Sequence, residues 1–476
     1  MLIGREKEQQ ILNATLLSEE AELLAIYGRR RVGKTYLIRQ FYEKSLCFEF
    51  SGQHNANLQE QLENFSIKLD ETMGSLFPTA PPNSWSEAFG RLKVYLEPKI
   101  VDEKTVIFFD EFPWIDTPRS GFLGAFDYFW NDWASRKSNL KVVICGSAAS
   151  WMIRKVIQNR GGLHNRVTQR IRLLPFTLNE TESFFKQRNI HLDRYQITQL
   201  YMAFGGIPHY LKEIQKGQST AQIINNLCFD KGGLLYDEFN MLFSSLFNNY
   251  EIHKSIVRQL AQKAVGLTRN EIIEQLKLSS GGTISQILEE LTDSGFVTTF
   301  IPFGKNQKDL IYKLSDEYSL FYLKFIEKGK YKGEDVWNQL SQLPTYKTWC
   351  GFAFETLCLK HINAIKKALS IAGIYSEVSI WRYQGDKENS GSQIDLLIDR
   401  KDNCINICEV KFSETEYVID KKYAQEIHQK LSVFKNKTQT KKTLFFTAIT
   451  TYGVLQNEHK NRWVDKELTM DDLFDN

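Results

Sequence analysis

Short apolar runs recur through the first third of the chain, at 23–27, 46–51, 105–110, 141–145 and 168–174. Each has the length of a strand buried on both faces. Most are separated by stretches such as "LQEQLENFSIKLDETM", whose apolar positions fall three and four apart as in an amphipathic helix. Strands alternating with helices predict an α/β fold with a parallel sheet over residues 1–177. Residues 178–248 then read as helices, broken at "FGGIPHYL" and "DKGGLLYDEF", forming a helical lid. Residues 249–328 read as three helices and two strands. Thr268 caps the second helix, Gly295 closes the third, and "FVTTFIPF" and "LIYKLSD" flank "GKNQKD" as a hairpin. That order predicts a winged helix. The stretch "EKGKYKGEDVW" reads as a hinge, after which residues 335–476 read as helix, strand, strand, helix and strand.

A chain of 476 residues has room for two to four domains, at roughly 100–200 residues each. Hydrophobic content of 42%, charged content of 25% and an aromatic share of 13% exclude a disordered chain. The net charge of +3 makes any nucleic-acid surface local. Seven cysteines, none in a C-x-x-C spacing, suggest neither a disulfide framework nor a zinc site. The segment "MLIGREKEQQ" has no apolar core, and no run of about 18 apolar residues occurs. A cytoplasmic protein with no membrane partner is the expectation.

Chemistry enters at "AELLAIYGRRRVGKTYLIRQFYE". A strand feeding a loop feeding a helix aims backbone N–H groups and the positive helix end at one point, where an anion can sit. Gly28 and Gly33 let the loop curl, Lys34 can reach β- and γ-phosphates, and the Thr35 hydroxyl can ligate magnesium. The loop Gly28, Arg29, Arg30, Arg31, Val32, Gly33, Lys34, Thr35 and Tyr36 is therefore the candidate ATP site. A carboxylate strand beside it is expected in "KTVIFFDEFPW": Asp110 would hold magnesium through water, and Glu111 would polarise the attacking water. Ser147, after "KVVIC", either senses the γ-phosphate or caps the helix that follows. Arg166, just before the last strand, either neutralises transition-state charge or is simply solvated.

The order of "YGRRRVGKT", "VIFFDEF", "VVICGS", "GLHNRVTQRIRLLPF" and "FGGIPHYL" resembles the archaeal-type ATPase family, part of the signal-transducing (STAND) branch of AAA-like P-loop ATPases. The resemblance covers roughly residues 1–330. It implies that a Gly-x-Pro motif in the lid contacts nucleotide, which falls on Gly206, Ile207 and Pro208; the same residues would also simply break a helix at a turn.

In "GSQIDLLIDRKDNCINICEVKFSE" a hairpin brings Asp395 and Glu409 to one edge, and strand alternation points Glu409 and Lys411 to one face. Two carboxylates beside a lysine suit magnesium-dependent phosphodiester cleavage, with oxygen ligands for a hard cation and a cation or base for water. Glu355, on the amphipathic helix "WCGFAFETLCLKHI", can point inward at the same site. The arrangement is similar to the restriction-endonuclease-like fold, which implies a metal held by Asp395 and Glu409 and catalysis by Glu355, Asp395, Glu409 and Lys411. Lysines 421, 422, 430, 435, 437, 441 and 442 either follow a phosphate backbone or form a solvated helix face. The third helix of the 249–328 segment offers Gln286 but also Glu289, Glu290 and Asp293, which favours packing or partner binding over reading DNA.

These readings combine into a magnesium-dependent ATPase that acts as switch or motor for a C-terminal nuclease-like domain. From the family resemblance the setting is DNA transactions or defence against foreign DNA. The partners are ATP, DNA, and either a second copy of the chain or a protein held by the winged helix. The alternative is a nucleotide-controlled DNA- or protein-binding regulator whose nuclease-like domain is inactive.

Overall fold

The computed structural model describes residues 2–475 except 102, 159, 160, 162, 164, 248, 280, 328, 330–334 and 386–390. Most of the "EKGKYKGEDVW" hinge and Arg160 therefore lie outside the described residues. The chain forms two compact units, residues 1–175 and 176–476.

The first unit is built on strands β1 (Glu22–Tyr27), β2 (Leu46–Ser51), β3 (Thr105–Asp110), β4 (Leu140–Gly146) and β5 (Gln169–Arg172). All are parallel, in the order β2-β3-β4-β1-β5. Every residue of β3 and β4 is buried, which is why these strands read as unbroken apolar runs rather than alternating ones. In the sheet, β4 is inserted between β1 and the carboxylate strand β3. An aromatic core of Phe48, Phe50, Phe65, Trp85, Phe89, Phe109, Phe112, Phe122, Phe126 and Phe129 packs against the sheet. Its neighbouring rings stand mostly edge-to-face, as between Phe65 and Trp85, 5.6 Å apart at 82°, the arrangement their quadrupoles favour.

The second unit begins with helices Leu178–Gln187, Arg194–Phe204, Pro208–Leu211, Thr220–Cys228 and Glu238–Leu246. The first, second and fourth open with a capping box, in which Thr177, Asp193 and Ser219 each accept from the N–H three residues on. Helices Tyr250–Ala261, Arg269–Leu276 and Gly282–Asp293 follow, with β6 (Leu267–Thr268), β7 (Val297–Phe300) and β8 (Ile311–Leu314) in an antiparallel sheet of order β6-β8-β7. The expected pair of strands thus gains a third, β6, just before the helix that Thr268 caps.

Helix Pro344–Lys360 leads to a five-stranded sheet: β9 (Ser376–Tyr383), β10 (Ser392–Arg400), β11 (Cys404–Lys411), β12 (Thr443–Thr450) and β13 (Lys466–Thr469), in the order β13-β12-β11-β10-β9. The β9, β10 and β11 ladders are antiparallel, whereas β11, β12 and β13 run parallel. Helix Lys421–Thr438 makes the crossover from β11 to β12 that a parallel pair requires. Two strands absent from the sequence reading, β9 and β13, complete the edges. Among the described residues no helix is long and apolar enough to cross a membrane.

Candidate functional site

The glycine-rich loop joins β1 to helix Lys34–Phe41. Gly28 has φ +147°, and a Cβ there would lie 2.3 Å from the Leu173 carbonyl oxygen, so only glycine lets the loop leave β1 past the chain that follows β5. Lys34 is buried, and its Nζ donates to the carbonyls of Gly28 at 3.1 Å and Arg29 at 2.9 Å. The lysine is thereby held over the loop whose carbonyls it binds. Arg29 and Val32 are buried. Arg30 stands over the Trp114 ring, 5.9 Å from its centroid, Arg31 takes a left-handed φ of 72°, and Tyr36 is exposed.

Although β4 separates β1 from β3, the hydroxyl of Thr35, on the helix after the loop, donates to Asp110 Oδ2 at 2.7 Å. Asp110 Oδ1 accepts from the Glu111 N–H at 3.0 Å. Glu111 has φ 44°, and its Oε2 accepts from the Ser147 hydroxyl at 2.7 Å and the Ser147 N–H at 3.2 Å. The helix Ala149–Met152 is preceded by Ala148 without a side-chain cap, so Ser147 holds Glu111 and does not cap that helix. One chain of hydrogen bonds therefore runs from the loop's threonine through both acids to the end of β4. Hydroxyl and carboxylate oxygens are the donors that magnesium prefers, so Thr35 and Asp110 fit the ion. Arg166 is exposed in the turn before β5. Pro208, in the second unit, is the first residue of helix Pro208–Leu211.

A second cluster forms at one end of the C-terminal sheet. Leu396 pairs with Cys408 in the β10–β11 ladder, so Asp395 and Glu409 each stand one residue beyond that pair. Along β11, Cys408 and Val410 are buried while Glu409 and Lys411 are half-buried, which puts acid and lysine on one face. Helix Pro344–Lys360 packs on β10 and β11 and brings Glu355 into the field of Asp395, Glu409 and Lys411.

Lys411 Nζ lies 2.9 Å from Glu409 Oε1. Lys430, from helix Lys421–Thr438, binds the other oxygen, and Gln393 Nε2 donates to Asp395. Burial pushes the Glu355 carboxyl up to about 7, with Asp395 adding to the rise and Lys313 opposing it. Burial acts the same way on Glu409, but Lys430 and Lys411 outweigh it and bring its pKa down to about 2. Among the described residues no three acidic, histidine or cysteine side chains converge as a metal centre. Asp395 and Glu409 nevertheless fit a hard cation that takes one or two carboxylates and keeps its waters.

Two contributors escaped the sequence reading. Lys430 belongs to the Glu409 carboxylate rather than to a free basic face, and Lys442 likewise binds Asp399 and the Arg400 carbonyl. Lys313 is buried on β8, where burial lowers its pKa and the negative charge of Glu355 and Asp395 opposes the fall. Nothing local marks it, since "LIYKL" reads as an ordinary strand with one outward lysine. Lysines 421, 422, 435 and 441 are exposed.

Residues 2–214 match a family model described as an ATPase domain predominantly from Archaea. An uncharacterised protein of Methanocaldococcus jannaschii is 22% identical over 443 residues, which is 90% of this chain and 92% of that protein. An uncharacterised ATP-binding protein of the same organism is 44% identical over 43 residues, 9% of this chain and 73% of its own. Among solved structures, a Walker-type ATPase of Pyrococcus abyssi superposes with a TM-score of 0.50 at 20% identity, covering 68% of this chain and 96% of its own.

Proposed function

We propose that the archaeal-type ATPase domain at residues 2–214 is the magnesium-dependent switch or motor of a protein whose C-terminal module is nuclease-like and acts on DNA. The observation that carries the first half is the chain of contacts from Thr35 through Asp110 and Glu111 to Ser147. Lys34 and the loop N–H groups would bind the β- and γ-phosphates, and Thr35, with Asp110 behind it, would hold magnesium. The ion, when bound, neutralises charge that develops on the phosphates. Glu111 would polarise the attacking water while Ser147 holds its Oε2. Arg166 is our candidate for a charge supplied to the same phosphates, in its own subunit or across a homo-oligomer. Pro208 is our candidate for a lid contact with the nucleotide.

For the second half, Asp395 and Glu409 would hold a divalent ion, Lys411 would orient the attacking water, and Glu355 would complete the acidic shell. The 249–328 segment would be a winged helix that packs rather than reads bases, since Glu289 is exposed on its third helix. One observation favours the second reading, a regulator with an inactive nuclease-like domain: both Glu409 oxygens are taken by lysines.

The ATPase half is tested with the full chain. Lys34→Ala should abolish nucleotide affinity, while Glu111→Gln should retain it and slow turnover by about 100-fold or more. Near-normal turnover in Lys34→Ala would remove the assignment of this loop.

A further inference from the structure

Three arginines fill the phosphate loop, and they are not held alike. Arg29 is buried, Arg31 takes left-handed backbone, and both have partners. Arg30 is half-buried and, among the described residues, in no ion pair. Its guanidinium stands instead over the Trp114 ring, 5.9 Å from the centroid. A guanidinium over a ring face keeps its in-plane N–H groups free for an anion.

Trp114 is fixed at both ends of its backbone. Its N–H donates to the Glu111 carbonyl at 2.8 Å. Its own carbonyl accepts from Nε2 of Gln61 at 2.9 Å, a fully buried side chain that also binds the Gln53 carbonyl at 2.8 Å and the Gln53 N–H at 3.2 Å. The same turn lies hard against the end of β2, since a Cβ on Gly52 would come within 2.7 Å of the Glu111 carbonyl oxygen and 2.9 Å of the Ile115 nitrogen. Phe112 and Ile115 from this turn enter the aromatic core of the unit, but Trp114 does not. Its ring is given to Arg30 and to His54, whose imidazole lies 4.9 Å away. The last phosphate of ATP is the one that meets the acid activating water. Trp114 stands on the turn that Glu111 opens, so the arginine over its ring is held on that side of the loop.

We propose that Arg30 is the loop's own cation for the γ-phosphate and Trp114 its positioning residue: the ring holds the guanidinium on the Glu111 side of the loop, where it distinguishes ATP from ADP. The inference rests on reading this loop as the ATP site and adds to it the group that reads the third phosphate.

The test is calorimetric titration of the full chain, in magnesium, with ADP and with an ATP analogue whose β,γ-bridge is nitrogen, so that no turnover intrudes. Arg30→Gln should weaken the analogue by about tenfold or more, the loss of one charge-assisted hydrogen bond, and leave ADP within about twofold of wild type. Trp114→Leu should reproduce that split, and Trp114→Phe, which keeps a ring, should lie closer to wild type. The double variant Arg30→Gln/Trp114→Leu should lose no more than Arg30→Gln alone, because the ring acts through the arginine. Retained ADP affinity shows in each case that the variant is folded. Equal loss of both nucleotides in Arg30→Gln would make the arginine a structural part of the loop, and unchanged analogue affinity would remove it from the site. Either result overturns the inference while leaving the ATP site standing, and additive losses in the double variant overturn the role of Trp114. If wild type binds neither nucleotide, the reading of the loop falls and the inference with it.

Discussion

Glu111 sits in left-handed backbone, φ 44°, at a cost to an L-residue of about 1–2 kcal/mol. Its neighbours over-determine it: its N–H is bound by Asp110 and its carboxylate by Ser147. Strain of this kind is found where a group must be aimed. His361 is fixed by different means. The Leu178 N–H donates to its Nε2 at 3.1 Å, and its Nδ1 lies 2.9 Å from the Leu357 carbonyl, so the ring must be neutral, with its proton on Nδ1. Burial lowers its pKa. The unfolded chain, with a histidine pKa of about 6.5, therefore takes up the proton first as pH falls. The stability His361 contributes is complete above that pH and declines below it, with a slope approaching about 1.4 kcal/mol per pH unit. Urea midpoints measured from pH 8 to 5 should fall more steeply for wild type than for His361→Gln, whose amide can donate and accept at every pH. Parallel profiles would clear His361 of that role.

At the scale of elements, what the chain displays locally was legible and what depends on neighbours was not. Strands β2 and β3 fall where their apolar runs begin and end, β1 starts one residue before its run, and β4 extends one residue beyond its run at each end. Burial on both faces writes itself into consecutive residues. The insertion of β4 between β1 and β3 has no such trace, because strand order is chosen by the packing of whole helices across the sheet. Strand β9, "SEVSIWRY", mixes polar and apolar residues at the sheet edge, and β13 has four residues, too few for a period to show. Helix Lys421–Thr438 shows the same limit. Its lysines look alike in sequence, yet Lys430 turns inward to Glu409 while Lys435 is exposed. Lys430→Ala should therefore destabilise the chain by about 1–3 kcal/mol, since it strips one of two cations from a half-buried carboxylate. Lys435→Ala should stay within about 0.5 kcal/mol of wild type. Denaturation midpoints of the two variants would separate these outcomes, and equal shifts would mean that Lys430 is as solvated as its neighbours.

At the scale of the molecule, the two candidate sites belong to different compact units, the phosphate loop in residues 1–175 and the carboxylates in 176–476. No residue is shared between them, so damage to one should leave the chemistry of the other intact. Asp395→Asn or Glu409→Gln should abolish cleavage of plasmid or single-stranded DNA in magnesium or manganese while ATP turnover stays within about twofold of wild type. Glu355→Gln should lose most of the cleavage if its carboxyl, held near 7 by burial, completes the acidic shell, and little if it only lines the helix. Coupling adds a stricter demand, because linkage between two binding sites is reciprocal. If ATP tightens DNA binding by some factor in Glu111→Gln, DNA must tighten ATP binding by the same factor, and Kd values from both titrations test this directly. Reciprocal coupling without any cleavage by wild type would assign the chain to the regulator reading. Cleavage without coupling would leave two independent activities on one polypeptide, and the switch would have no place in the mechanism.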